Sequence, residues 1–345
     1  MRPSRSRQEI PGGPPRSRVI AGIDEAGLGP LLGPLSIGYS VFRLPEPGAD
    51  PWRLLAPMVG KRAHKRAKLV VADSKRVFQR SQPGAKRLES TALGFLALLD
   101  EAGRPPASAL DLVFGDVAPD RALVARHPWY EHLPAIPAEQ SAASLELLAS
   151  LLGRRMREKE LEILDAGVRL VPAGELNLSY GETENKGATV WLRCAEVLRH
   201  LWDRHGESSP RVTVDLLGGR IHYADLLREA FPEARVDVLF EGPEHAAYRL
   251  DEAHERAAES WLPKRMSIEF LAKGEDASFA VALASCLAKY TRELVMEGFN
   301  AYFGARDPEL APTAGYTTDG RRWLADARGA IRSAGIPDDV LVRER

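Results

Sequence analysis

Two adjacent carboxylates, Asp24 and Glu25, close an apolar run at 19–23 and open directly onto a turn rich in glycine and proline: Gly27, Gly29, Pro30, Gly33 and Pro34. Side chains along a strand point alternately to opposite faces. The two acids can therefore share a site only where the strand ends, and Gly27, Gly29 and Pro30 are residues that end one. Hard oxygen ligands at a strand end, beside a loop with exposed backbone N–H groups, suit a divalent cation and a phosphate. The competing reading of the dipeptide is a helix N-terminus decorated with acids, or a plain turn. A third acid stands in a similar place. Asp215 terminates the apolar strand Val212-Thr213-Val214 and projects at a sheet edge, unless it caps the turn at Leu216-Leu217-Gly218-Gly219. Phosphodiester cleavage by two metals needs carboxylates converging from separate segments in this way. They hold cations about 4 Å apart, one generating hydroxide and one stabilising the leaving oxygen. Other chemistries find less support. His64, His222 and His245 lack paired-ligand spacing, no Ser-His-Asp or Cys-His arrangement stands out, and no phosphate-binding P-loop is present. Cys194 and Cys286 read as buried free thiols on helices.

The elements that must position these acids alternate between strand and helix, which places the chain in the α/β class. Segments 19–23 and 36–42 read as a hairpin joined by the glycine loop, and 45–57 as a loop. Segment 61–87 is basic, with Lys61, Arg62, Lys65, Arg66, Lys68, Lys75, Arg76, Arg80, Lys86 and Arg87 opposed only by Asp73. It is either a solvated face or a contact for phosphates. An amphipathic helix is expected at 88–101, a strand at 110–117, an aromatic and proline-rich stretch at 126–137, and a long helix over 138–166. Beyond it come a strand at 168–172, a helix at 188–205, a strand at 211–215, a helix at 223–231 and a strand at 234–240. A helix at 252–258, a strand at 267–273 and a long helix at 279–302 complete the pattern. Residues 1–18, with five arginines among prolines and glycines, read as a disordered basic arm. The 345 residues can bury a large core, and 44% apolar with 28% charged residues is ordinary for a soluble globular protein. A formal net charge of −1 means that any nucleic-acid binding must rest on local patches. No apolar run reaches the length of a membrane span, and the N-terminus lacks a signal-peptide core, so a cytoplasmic protein with no membrane contact is expected.

The phrase Asp24-Glu25-Ala26-Gly27-Leu28-Gly29-Pro30-Leu31-Leu32-Gly33-Pro34 resembles the first signature of the type 2 ribonuclease H (ribonuclease HII) family, with Leu28 where that family carries arginine. Further likenesses follow in the family's order. Ala72-Asp73-Ser74-Lys75 resembles its Asp-Ser-Lys segment. Glu175-Leu176-Asn177 with Ala188-Thr189 is similar to its Asp-x-x-Asn region and the helix that follows. Val212-Thr213-Val214-Asp215 resembles the strand carrying its third acid. Ala284-Ser285-Cys286-Leu287-Ala288-Lys289-Tyr290-Thr291-Arg292-Glu293 resembles its Ala-Ser-Ile-x-Ala-Lys-x-Thr-Arg-Asp helix, and Gly315-Tyr316-Thr317-Thr318 its Gly-Tyr-x-Thr turn.

A divergent member of that family would have the ribonuclease H-like fold, a central mixed β-sheet flanked by helices. Here it would occupy 19–335, with an inserted helical region at about 105–164 and an enlarged segment at about 223–273 holding an additional strand-helix-strand. The resemblance implies a Mg²⁺- or Mn²⁺-dependent endonuclease cutting the RNA strand of RNA–DNA hybrids, or DNA with embedded ribonucleotides, with no obligate protein partner. Asp24, Glu25, Asp215 and Glu275 would be catalytic. The metals would lie on these four acids, or on Asp276 in place of Glu275. Gly27, Leu28 and Gly29 would lie along the scissile strand, Lys75 and Lys289 on phosphates, Arg292 and Lys186 as lesser phosphate contacts, and Tyr316 at the sugar, where the 2′-hydroxyl separates RNA from DNA. Leu28, a glutamate at the fourth acid and the near-neutral net charge favour an alternative, a catalytically degenerate hybrid- or nucleic-acid-binding protein on the same fold. Retention of Asp24, Glu25 and Asp215 together opposes it, because clustered carboxylates repel phosphate unless a cation intervenes. A nuclease of the same fold acting on structured DNA is a third reading.

Overall fold

The apolar alternation at the start of the chain becomes a hairpin. In the computed structural model, which describes residues 17–64, 67–79, 81–215, 220–253 and 262–344, β1 (Val19–Ala26) runs antiparallel to β2 (Leu35–Arg43), with Val19 opposite Arg43 and Ala26 opposite Ser36. The short helix α1 (Pro51–Leu55) follows, begun by Asp50, whose side chain accepts from the Trp52 N–H, so 45–57 is not all loop. A two-stranded parallel ribbon, β3 (Val59–Gly60) with β4 (Leu69–Val70), leads to α2 (Ser74–Phe78) and α3 (Gln82–Leu96). Next come α4 (Ala109–Val113), α5 (Arg121–Ala125) and α6 (Ala142–Glu158), then β5 (Glu162–Val171), α7 (Ala173–Thr183) and α8 (Lys186–His205). The second half contains β6 (Arg211–Asp215), α9 (Ala224–Ala230), β7 (Ala234–Glu241), β8 (His245–Glu252) and β9 (Arg265–Leu271). Helices α10 (Gly274–Ala277), α11 (Phe279–Gly304), α12 (Thr317–Asp326), α13 (Arg328–Ala334) and α14 (Asp338–Leu341) close the described chain.

Seven strands form one sheet in the order β5-β2-β1-β6-β9-β8-β7. Strands β1, β6 and β9 are parallel neighbours, and β2 runs against β1 and β5 on either side. This is the mixed sheet of the ribonuclease H-like fold, extended at one edge by the antiparallel strands β8 and β7. Alternate strand residues feed two cores. Ala21, Ile23, Ile37, Tyr39 and Val41 face α8 and α9 through Trp191, Val197, Leu201 and Leu227. Phe42, Ile163 and Val168 face α3, α6 and α11 through Phe95, Leu152 and Phe279.

Helix α11 lies close on β1 and β2 because both strands offer glycine beneath it. A Cβ at Gly22 would fall 2.1 Å from the Val281 nitrogen, and one at Gly38 would fall 2.1 Å from the Ala284 carbonyl oxygen. Among the described residues no helix is long and apolar enough to cross a membrane.

Several sequence expectations are corrected. The segment expected as a strand at 110–117 is instead helix α4 as far as Val113 and turn beyond it; the helix start is fixed reciprocally, Ser108 Oγ accepting from the Asp111 N–H and the Asp111 carboxylate accepting from the Ser108 N–H at 2.8 Å. The helix over 138–166 stops at Glu158. The chain turns through Glu160 at φ 50° and then pairs with β2 along 162–171. The segment 252–258 begins as the end of β8, and its residues 254–258 lie outside the described residues. The order within 223–273 is helix-strand-strand-strand. Of the basic arm, residues 1–16 lie outside the described residues, while Arg18 donates through Nε to the Leu44 carbonyl at 3.2 Å.

Candidate metal centre

Register brings the acids together. The pairing of β1 with β6 ends at Ile23 opposite Val214, so Asp24 and Asp215 are the next residues on two adjacent parallel strands. Strand β1 continues to Ala26 along β2, whereas β6 stops at Asp215. Strand β1 itself ends one residue past Glu25, at Ala26, and Gly27 follows at φ 92°, in keeping with the expectation that the glycine turn ends it. One carboxylate oxygen from each of Asp24, Glu25 and Asp215 lies within 4.8 Å of the others.

The side chains are held from behind. The Glu25 N–H donates to Asp24 Oδ1 at 2.8 Å, and the Gly274 N–H, at the start of α10, donates to Asp215 Oδ1 at 2.8 Å. The Ser285 hydroxyl on α11 donates to Asp24, lies 3.1 Å from Ser74 Oγ and accepts from the Ser74 N–H at 3.3 Å. Asp24 and Ser285 are buried. The hydroxyls of Ser74 and Ser285 were not singled out from the sequence, although both sit inside the quoted motifs. The glycines under α11 were the available signal, since they let the helix bring a hydroxyl down to the strand.

The electrostatics of this cluster call for a cation. Burial and then the Glu25 charge push Asp24 well above the ordinary carboxylate value; the Ser285 bond opposes the shift and Asp215 adds to it. Burial and then Asp215 push Glu25 up to about 7, against the pull of Lys75. Glu25 Oε2 is buried with no hydrogen-bond partner among the described residues. An orphaned carboxylate oxygen inside an all-oxygen cluster fits a hard divalent ion.

The expected fourth acid stands outside the cluster. Glu275 does not join the three-way convergence; its carboxyl is raised by burial first and further by Asp215, Asp73 and Asp276. Asp276 faces the other way, taking Arg76 at 2.7 Å, while its backbone carbonyl accepts from Lys61 Nζ at 2.8 Å. Asp73 caps α2 by accepting from the Lys75 N–H at 2.9 Å. Glu175 is occupied in a buried network with Arg169, Arg193 and Glu196.

The glycine loop is fastened from two sides. Gly27 takes φ 92°, and its carbonyl and that of Leu28 accept from the guanidinium of Arg343, at 3.3 Å for Leu28. The Gly315 carbonyl accepts from the N–H groups of Leu31 and Leu32 at 2.7 and 3.1 Å, which sets Tyr316, 42% exposed, beside the loop. Arg343 is held by the strap 338–344, which Asn177 clamps. Asn177 Nδ2 donates to the carbonyls of Asp339 and Val342, both at 2.7 Å, and its Oδ1 accepts from the Glu344 N–H at 2.8 Å. Nothing stands within 4 Å of a Cβ built at Gly29, so this face of the loop is open. Lys289 and Arg292 point inward: Lys289 Nζ reaches Glu293 at 2.5 Å, and Arg292 donates to the Ala314 carbonyl at 3.1 Å. Lys75 stands closer to the acids, where it opposes the rise of Glu25.

The chain thus has the ribonuclease H-like α/β fold, with a three-carboxylate cluster, Asp24 buried and Glu25 and Asp215 half-buried, at the end of its central parallel pair. The chain is similar to the ribonuclease HII of Archaeoglobus fulgidus solved in complex with PCNA, at 16% identity over 95% of this chain and 94% of that one, with a TM-score of 0.39. It is also similar to Bst-RNase HIII in complex with Mn²⁺, at 12% identity over 95% and 67% of the two chains, TM-score 0.40. The ribonuclease H2 of Pyrococcus horikoshii matches at 15% identity over 94% and 92%, TM-score 0.34. No protein-family model and no curated protein sequence matches the chain.

Proposed function

We propose that the protein is a divalent-metal-dependent endonuclease that hydrolyses the RNA strand of RNA–DNA hybrids, or DNA at embedded ribonucleotides, leaving 3′-hydroxyl and 5′-phosphate ends. The observation that carries this reading is the convergence of Asp24, Glu25 and Asp215 with one buried carboxylate oxygen left unbonded. Asp24, Glu25 and Asp215 would hold Mg²⁺ or Mn²⁺, with Glu275 completing the set from the rim. Bound there, the ions supply a hydroxide nucleophile and neutralise the leaving oxygen.

The chain's own residues do the positioning. The Ser285 hydroxyl and the Gly274 N–H fix the rotamers of Asp24 and Asp215, so the carboxylates are set before a cation arrives. Leu28 and Gly29 present the open side of a loop whose carbonyls are turned onto Arg343. Tyr316, whose ring is exposed, would meet the sugar, and Lys75, whose charge is felt at Glu25, would meet a phosphate beside the acids.

The test is direct. Purified protein is incubated with a labelled RNA–DNA hybrid and with the matching DNA duplex, in Mg²⁺ or Mn²⁺, beside Asp24→Asn. Cutting confined to the RNA strand, requiring metal and lost in the variant, is the expected result. Folded protein that binds the hybrid equally well in EDTA and cuts it under neither metal would replace this reading with the binding protein.

A further inference from the structure

A second convergence of ligand atoms lies at the opposite end of the sheet and uses a different donor set. Asp165 sits on β5 opposite Val41, whereas the β5 residue level with Asp24 is Val168, through Gly38. Asp165 is therefore about 10 Å along the strands from the carboxylate centre, with two strand spacings between β5 and β1. Its side chain is 5% exposed, and two imidazoles point at the same oxygen: His200 Nε2 is 2.9 Å and His205 Nε2 3.1 Å from Asp165 Oδ2. A carboxylate oxygen of Asp116, in the segment after α4, lies within 4.8 Å of the ligand atoms of Asp165 and His200.

The helix end explains why both histidines reach one place. Five residues of regular helix would set two side chains about 140° apart around the axis. His205 is the last residue of α8, and its backbone leaves helical geometry at φ −125°, ψ −3°. That departure turns the second imidazole onto the side occupied by the first.

We propose that Asp165, His200, His205 and Asp116 form a structural site for a tetrahedral first-row transition metal, zinc by preference, stapling the end of α8 to the edge strand β5. With bonds of about 2.0–2.1 Å, neighbouring donors in a tetrahedral centre stand about 3.3 Å apart. The spacings of 2.9 and 3.1 Å from the imidazoles to Asp165 approach that; Asp116, Asp165 and His200 already converge within 4.8 Å of one another, and His205 must swing further to complete the set. Two nitrogens with two carboxylates suit zinc and its neighbours rather than magnesium, which takes oxygen ligands in an octahedron.

The groups facing the cluster are consistent with a dication. Arg204 lies on Asp116 at 2.6 Å and passes Asp165 Oδ2 at 3.8 Å, and its side chain is 52% exposed. A metal would take over its charge while it swings into solvent. Tyr39 is the other neighbour, with its ring 5.1 Å from His200 and its hydroxyl bonded to Asp165.

The full chain, stripped of metal, is titrated with Co²⁺ at neutral pH. One equivalent of tetrahedral Co²⁺ gives intense visible bands that the weakly absorbing octahedral ion of an all-oxygen centre does not. The bands are expected in the unaltered protein and in Asp215→Asn, and to be absent from His200→Gln and His205→Gln. Zn²⁺ at one equivalent should displace them, and a large excess of Mg²⁺ should not. Zinc should also raise the melting temperature of the unaltered chain by several degrees and leave His205→Gln unmoved. Absence of the bands from the unaltered protein overturns the proposal without any variant, and so do bands that persist in both folded histidine variants.

Discussion

Replacing Asp215 by asparagine separates charge from geometry at the carboxylate centre. The Gly274 N–H donates to Asp215 Oδ1 at 2.8 Å, and an asparagine oxygen accepts the same bond. The charge matters because Glu25, ordinarily near 4.5, stands at about 7 in the folded chain, with Asp215 the largest contribution after burial. Between those values the unfolded chain gives up a proton that the folded chain keeps, so stability falls as pH rises through this window. The full displacement corresponds to about 3 kcal/mol. Removing the Asp215 charge should return about 1 kcal/mol of it, because burial remains. In EDTA at pH 8, Asp215→Asn should therefore resist urea better than the parent by about 1 kcal/mol. At pH 4.5 the gain should shrink towards zero. Saturating Mn²⁺ should reverse the order, since a ligand at a hundred times its dissociation constant stabilises by about 2.7 kcal/mol and the variant has lost one carboxylate. A variant less stable than the parent by the same amount at both pH values, with no response to Mn²⁺ in either protein, would refute the reasoning. Asp215 would then be a cap on its turn and nothing more.

Other perturbations test the scaffold. Gly38→Ala places a methyl 2.1 Å from the Ala284 carbonyl oxygen and should cost about 3 kcal/mol or more in calorimetry, whereas Gly29→Ala, with open space around it, should be within about 0.5 kcal/mol of neutral. Arg343→Ala releases the carbonyls of Gly27 and Leu28 and should lower hybrid cleavage about tenfold while far-UV dichroism is unchanged; undiminished cleavage would show that the loop holds itself. Burial depresses His127 to about 4 where it accepts the Gly174 N–H at 3.2 Å, so its stabilising contribution is complete above pH 6.5 and is lost as pH falls towards 4. Urea midpoints from pH 7 to 4 should drop by the equivalent of about 3 kcal/mol less in His127→Gln than in the parent.

The parts of this fold that are legible in the sequence are those where burial repeats with a fixed period. The hairpin of β1 and β2, the strand ending at Asp215 and the long helix α11 all have apolar patterns bounded by glycine, proline or an acid. The misread segments lack that punctuation. Helix α6 gives way to β5 through Glu160 at positive φ, a conformation that glycine would have advertised and glutamate does not. Segment 110–117 alternates enough to read as a strand, and the information that makes it a helix is the Ser108–Asp111 pair lying just before and inside it. Two histidines meeting on Asp165 could not be read from their spacing, because the convergence depends on where α8 stops.

At the candidate site, residue type identified the acids, while position decided which other motif residues face them. The helix carrying Lys289 and Arg292 suggests phosphate contacts by composition alone, yet both side chains are buried and spend their charge on Glu293 and the Ala314 carbonyl. The hydroxyl of Ser285, on the face of α11 that the strand glycines allow to approach, is what reaches Asp24. Arg292 in turn fixes the turn at 314–316, and the Gly315 carbonyl holds the N–H groups of Leu31 and Leu32. With Arg343 on the carbonyls of Gly27 and Leu28, the loop is secured at both ends by arginines from outside it. Leucine at position 28 is therefore compatible with an ordered loop: its backbone is fixed by partners far away in sequence, and its side chain packs against the core beneath β1. Leucine brings no charge to the loop, and on the proposed function a phosphate beside the acids would be met by Lys75, whose charge is felt at Glu25.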